Sequence, residues 1–405
     1  MSSLADSGPR LHVVTLTPFF PSQQNEVNGC FIAEPISRLH QYAVDSTVIA
    51  VAPIYYPRNH PSSLAPAKWI RYPRIPKNFG LSSAGTFLYA RLLHEMQKLH
   101  RTNPIDVIHA HGGLPCGDAA RLLSRRLNIP FLVSVHGLDV FNTCELDGAP
   151  AKWRRDKSIA VYQSARTVIC VSKKVQQILC SGMPAHIRSA VVYNGADPKL
   201  FSPSVAPASI ADIPPTATPP ENEILIVGNL IPSKGHELVL RAMRHLASVL
   251  PRCQIFGEGP ERPRLEALAT ELGLAQRVKF VGRQSRAAVA AAMRACSVFA
   301  LPSRSEGLGC VYLEAMACGK PVIACRGQGI DEIIQHEKNG WLIPVDGLHE
   351  LTQGLSTLLQ SPDLSARIGK AARETILNGL TISDQARHLA TVYREAIGLQ
   401  IPQEI

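Results

Sequence analysis

Short runs of apolar, largely β-branched residues recur along this chain, each followed by a stretch with helical spacing, and the cycle runs through twice. In the first half the runs are Leu11–Thr17, 47–52, 105–109, Phe131–Val135, 167–171 and 190–193. In the second half they are Glu223–Val227, 254–256, 278–281, 297–301, 322–324 and Trp341–Ile343. The runs are continuously apolar, as in strands covered on both faces, and stretches such as 83–100 and 117–127 have the length of helical crossovers. Strands that alternate with helices predict parallel sheets. Between the two cycles, residues 201–222 carry six prolines in 22 positions. Proline fits neither a helix interior nor a central strand, so this stretch reads as a linker. The expected organisation is a first domain over 1–200, a linker over 201–222 and a second domain over 223–382. A last helical pattern, 383–398, is free to pack back on the first domain. Open parallel sheets bind ligands beyond the carboxyl ends of their strands, so function is sought in loops facing a cleft between two such domains.

The chain has 405 residues, 45% of them apolar and 18% charged, an ordinary globular balance with more length than one core needs. No run approaches the roughly 18 apolar residues of a membrane-spanning helix, and the opening MSSLADSGPR lacks the order of a secretory signal. A soluble, cytoplasmic protein is expected. Its ten cysteines are scattered without a CxxC pair and read as buried free thiols. The net charge of +10 lies entirely in the first half, with 22 Lys and Arg against 12 Asp and Glu over 1–200, and 20 against 20 over 201–405. The first half is therefore suited to an anionic partner. No RNA-binding aromatic motif or helix-turn-helix pattern accompanies the basic residues, so nucleic acid is not expected. An anionic membrane surface and a phosphorylated acceptor are the partners left, beside a merely solvated surface.

The densest chemistry lies in 297–320, SVFALPSRSEGLGCVYLEAMACGK, which reads as strand, loop and helix, with Glu306 in the loop and Glu314 about one turn into the helix. A helix entered through Gly307, Leu308 and Gly309 presents unpaired backbone N–H groups and the positive end of its dipole, a ready phosphate site. Glu306 can accept hydrogen bonds from sugar hydroxyls, and Glu314 can accept a bidentate pair from a ribose. Helix capping explains either glutamate alone, but not both with the glycines between. In 226–235, IVGNLIPSKG, Lys234 follows a strand and can reach an anion. Arg283 follows Gly282 at the end of a later strand, beyond the FGEGP of 256–260. In the first half His136 follows a strand in SVHGLD, where Asp139 can orient it or meet an acceptor. His109 and His111 end another strand. His-x-His suggests zinc, but no third ligand has metal spacing, so no metal is expected and His111 is given an acceptor-side or packing role.

Through Glu306 and Glu314, with seven residues between them and the second opening the run EAMACGKPVI, the sequence resembles the retaining nucleotide-sugar glycosyltransferases of family 4. The resemblance covers nearly the whole chain and implies an α/β GT-B fold, two Rossmann-like parallel-sheet domains facing across a cleft. It implies that Glu306 and His136 contact the transferred sugar and that Glu314 holds the ribose. The family commonly grips the diphosphate with an Arg after the first glycine and a Lys before the last; this chain keeps Lys234 but has Asn229 in the Arg position. Asn donates hydrogen bonds without charge, so more of the diphosphate falls to Lys234, Leu308 and Gly309 at the helix entry, and another cation. Gly29, in the loop after the first strand, matches half of the family's double-glycine turn and can let the backbone approach the phosphates. Arg283 resembles a residue of the loops around the nucleobase and ribose.

The implied reaction is hexose transfer from a nucleotide-diphosphate sugar, a substrate and not a cofactor, to a glycan or polyprenyl-linked acceptor in cell-surface polysaccharide or glycoconjugate synthesis. No Asp-x-Asp pair that would bridge a metal to a diphosphate occurs, so metal independence is expected. Other readings stay open: an epimerase or phosphorylase of the same fold, and a non-catalytic glycan-binding member, which Asn229 favours. A serine hydrolase lacks its GxSxG elbow and a dinucleotide oxidoreductase its GxGxxG. Aromatic and basic residues interleave over 55–79, read as a proline-rich loop that can lie on anionic lipid at the inner membrane face.

Overall fold

The computed structural model describes residues 9–23, 25–56, 66–75, 80–137, 140, 149–204, 222–246 and 249–399. Asp139, most of the proline-rich stretch, and positions 57–65 and 76–79 of the aromatic and basic segment lie outside the described residues. Two compact units result, one of residues 1–194 with 382–405, the other of 195–381.

The first unit contains β1 (Leu11–Thr17), α1 (Cys30–Ile36), β2 (Val44–Pro53), β3 (Lys68–Tyr72), α2 (Leu81–Thr102), β4 (Val107–His111), α3 (Asp118–Leu127), β5 (Phe131–Val135), α4 (Ala149–Ser164), β6 (Thr167–Cys170), α5 (Lys173–Ser181) and β7 (Ser189–Val191). The second contains β8 (Glu223–Val227), α6 (His236–Arg244), β9 (Arg252–Phe256), α7 (Arg262–Glu271), β10 (Val278–Gly282), α8 (Arg286–Ala295), β11 (Val298–Ala300), α9 (Cys310–Ala317), β12 (Val322–Cys325), β13 (Trp341–Ile343), α10 (Leu348–Gln360) and α11 (Pro362–Leu377). The last helix, α12 (Ile382–Ala396), belongs to the first unit.

Each unit holds one parallel sheet, seven strands in the order β3-β2-β1-β4-β5-β6-β7 and six in the order β10-β9-β8-β11-β12-β13. Strands β1, β4 and β5 are buried along their whole length, as their unbroken apolar runs require. Strand order reverses between β1 and β4 in one sheet and between β8 and β11 in the other. At such a switch the two following loops diverge to opposite faces and leave a crevice at the carboxyl edge, which is where open α/β sheets take ligands. In the second unit the switch places the Lys234 loop beside the Glu306 loop, because Ile224 and Leu225 of β8 register with Val298 and Phe299 of β11.

One segment corrects the sequence reading. Residues 68–72, read there as loop, form edge strand β3 in parallel register with β2, with Ile70 and Tyr72 buried. The run KWIRY is short and interrupted by charge, as edge strands often are, which hides it among its proline-rich neighbours.

Helix α12 covers one face of the first sheet. Ala386, Leu389, Ala390, Tyr393 and Ala396 pack with Leu11, Val13, Val107, Leu132 and Ile169 from four strands. It is also pinned by polar groups: the Tyr42 hydroxyl donates to the Ser383 carbonyl at 3.0 Å, and Arg394 Nη2 donates to the Tyr42 carbonyl at 2.7 Å. Leu389→Ala removes buried methyl groups from this layer and is expected to destabilise the unit by about 2–5 kcal/mol. A lowered urea midpoint with an unchanged slope would be the observation; an unchanged midpoint would mean that the helix adds little.

Candidate functional site

The loop after β8 turns through a 3-10 segment, Pro232–Lys234, into Gly235, whose φ of 73° suits glycine. A Cβ there would run into the Pro302 carbonyl, so a side chain at this position would force the two switch-point loops apart. Backbone and side-chain bonds stitch these loops together: Arg304 N donates to the Ser233 carbonyl at 2.8 Å, and Arg304 Nη1 donates to that of Pro232 at 2.9 Å. The result brings Lys234 Nζ onto Glu306 Oε2 as an ion pair between side chains that are both mostly buried. Glu306 is fixed from behind, its N–H donating to Gln328 Oε1 at 3.0 Å. Helix α9 starts directly after Gly309, which has a φ of 83° and no side-chain cap, so the helix entry offers its amides to a ligand. Leu308 is fully buried, so its backbone, not its side chain, is available there.

Glu314 is 3% exposed and pairs through Oε1 with Arg286 Nη1, the first residue of α8. The Arg286 guanidinium also lies over the buried Phe201 ring, 4.8 Å from its centroid. Sequence reasoning missed Arg286 and Gln328. The one available signal was that a glutamate inside so apolar a helix needs a cation, which does not say which. Asn229 is exposed at the mouth of the same loop. Arg283 is exposed at the end of β10, two strands from β8 and so about 10 Å aside. It is not part of the Lys234–Glu306 group.

In the first unit Gly29 caps α1 with a φ of 71°, and a Cβ would collide with the Phe19 carbonyl. His111 ends β4 and His136 follows β5, the neighbouring strand. Their rings stack at 5.1 Å and share a hydrogen bond of 2.9 Å between His111 Nδ1 and His136 Nε2. Phe31 meets the His136 ring edge-on at 4.9 Å. His109 is bonded to the Tyr393 hydroxyl of α12 at 2.8 Å and to Ser134 Oγ at 2.7 Å. The space among these groups is ≈ 20 Å³, room for about one water, so the three histidines form a packed polar network. Among the described residues no three His, Cys, Asp or Glu side chains are grouped to hold a metal ion. No helix among them is long and apolar enough to cross a membrane.

Burial holds His109 at about 3 and His111 well below the ordinary 6.5. Both are neutral at pH 7. Between 6.5 and about 3 the unfolded chain binds a proton at His109 that the folded chain refuses. Stability is therefore full above about 6.5 and falls as pH drops toward 3. From pH 7 to about 5 this group alone accounts for about 2 kcal/mol, with His111 adding in the same direction. Urea midpoints at the two pH values test this, and a midpoint insensitive to acid would contradict the neutral assignment.

Two parallel-sheet units of this topology define the GT-B class of glycosyltransferases. Sucrose-phosphate synthase from Thermosynechococcus elongatus shares the fold over 95% of this chain and 99% of its own, with a TM-score of 0.77 at 22% identity. The Anabaena HepE protein in complex with UDP-glucose matches over 95% of this chain and 100% of its own, with a TM-score of 0.73 at 19% identity. Residues 3–200 match the family described as Glycosyltransferase Family 4, and residues 212–375 that described as Glycosyl transferases group 1. An uncharacterized glycosyltransferase of Methanocaldococcus jannaschii is 30% identical over 270 residues, 67% of this chain and 70% of the relative. The chain belongs to glycosyltransferase family 4.

Proposed function

We propose that the chain is a retaining, metal-independent hexosyltransferase. It moves a hexose from a nucleotide-diphosphate sugar to a glycan or lipid-linked acceptor in cell-surface polysaccharide or glycoconjugate synthesis. The observation that carries this reading is the Lys234–Glu306 pair at the switch point, beside an uncapped helix entry. A cation and free amides match a leaving diphosphate, and a carboxylate beside them matches the hydroxyls of the sugar it leaves. Lys234, Asn229 and the amides at Leu308 and Gly309 take the diphosphate, Glu314 takes the ribose with the oxygen that Arg286 leaves, and Arg283 lies toward the base. Glu306 and His136 position the transferred sugar and stabilise positive charge as the glycosidic bond breaks. Front-face attack, with the leaving phosphate accepting the acceptor's proton, retains configuration without a protein nucleophile. Gly29 admits the phosphates close to the backbone, while His111 and Asp139 serve the acceptor side. The unit with the positive excess is the acceptor's, and its exposed Ile54, Tyr55 and Tyr56 suit an anionic membrane surface.

The test is isothermal titration of the metal-free protein with UDP, GDP, ADP and TDP, beside Glu314→Ala and Lys234→Ala. One nucleotide is expected to bind, and both variants to weaken it about tenfold or more. Binding of none, or equal binding by the variants, would remove the donor site from these residues.

A further inference from the structure

Helix α4 buries one stripe, at positions 154, 158, 161 and 162, the spacing of a core-facing helical face. Val161 and Tyr162 fill the lower half of this stripe. They pack against the turn after β4, where a Cβ at Gly117 would meet Val161 and one at Gly113 would meet Tyr162. The upper half holds Arg154 and Ser158. Arg154 is 2% exposed, yet its Nε and Nη2 have no hydrogen-bond partner and it makes no ion pair among the described residues. Ser158 is fully buried one turn on, and its hydroxyl is equally unpartnered. The buried carboxylate of this region, Asp118, is already held by Arg121 at 2.7 Å and Lys157 at 3.4 Å. A buried guanidinium without a counter-charge is costly, and a bound anion answers that cost.

Position says which ligand. A helix between parallel strands β5 and β6 runs back along the sheet, so its N-terminal end lies at the carboxyl edge. Arg154 is seven residues before Val161, about 10 Å nearer that edge along the helix. It therefore stands where ligands of this sheet class enter. We infer that Arg154 and Ser158 form an anion site that holds a phosphate monoester carried by the acceptor. The guanidinium fork takes two of its oxygens and the serine hydroxyl a third, whereas a carboxylate leaves Ser158 unanswered. The inference rests on the proposed glycosyltransferase reading in giving this unit to the acceptor.

The test titrates the full chain with inorganic phosphate, glucose 6-phosphate, glucose and glucuronate, and with phosphatidylcholine vesicles with or without phosphatidic acid. UDP is titrated on the same samples. Phosphate-bearing probes are expected to bind, Arg154→Gln to weaken them at least tenfold, Ser158→Ala about threefold, and neither to alter UDP binding. Arg154→Lys, which keeps the charge and loses the fork, should fall between. A response to glucose 6-phosphate places the phosphate on a soluble sugar; Arg154-dependent capture by phosphatidic acid vesicles alone places it on a lipid. Without ligand, Arg154→Gln should melt no lower than the parent, because it removes an unpaired charge; a lower melting temperature would mark a structural arginine and overturn the assignment. Glucose or glucuronate binding as well as glucose 6-phosphate, or Arg154→Gln binding phosphate unchanged, would also overturn it. Absence of UDP binding with Arg154-dependent phosphate binding intact would sink the donor reading and leave the anion site standing.

Discussion

Lys234→Ala is expected to lower kcat/KM by roughly 100- to 1,000-fold, the loss typical when one charged group aimed at a developing anion is removed. The ion pair sharpens the expectation. In the absence of substrate Lys234 is engaged by Glu306, whose backbone N–H is held by Gln328. Holding a diphosphate requires the ammonium group to share its three donors. Glu306→Gln releases Lys234 without removing it, so nucleotide affinity should stay within about threefold of the parent or rise, while turnover falls. Lys234→Ala should weaken both. A Glu306→Gln enzyme with full turnover would end the assignment of Glu306 to the sugar, and Lys234→Ala with full kcat/KM would end that of Lys234 to the leaving group.

Arg286→Ala is expected to be the most destabilising single change in the second unit. It strips the cation from a glutamate that is 3% exposed, and breaking a buried pair from one side costs about 3–5 kcal/mol. For a unit of this size that is a drop of roughly 10 °C in melting temperature. The loss is caused by the orphaned carboxylate, so adding Glu314→Gln to Arg286→Ala should restore most of the stability. If the double variant is no better than the single one, the packing of Arg286 on Phe201 is what matters instead.

Strands β1, β5, β8 and β13 have the bounds read from the sequence, because unbroken apolar runs between polar punctuation leave no other register. Strand β3 escaped because an edge strand needs few apolar residues. The family signature was legible as residues at a fixed spacing, Glu306 and Glu314. Their partners were not. Lys234 meets Glu306 across 72 positions and Arg286 meets Glu314 across 28, through strand order and helix packing that no local pattern encodes. The same holds for His109, whose role in packing becomes visible only with Tyr393 beside it. Nothing in the sequence marks Arg154 out among the basic residues beside it, and burial separates it from Lys152, Arg155 and Lys157.

The return of α12 to the first sheet sets an order on biosynthesis. A ribosome releases residues 1–194 long before the helix that covers their sheet exists, and His109 waits 284 positions for its hydroxyl partner. The second unit, being contiguous, can close as soon as residue 381 emerges, so a helix made after the second unit completes the unit made before it. Until then an apolar sheet face stands open in the nascent chain. A stop codon directly after residue 381, ahead of α12, therefore costs the enzyme its first unit and not its second.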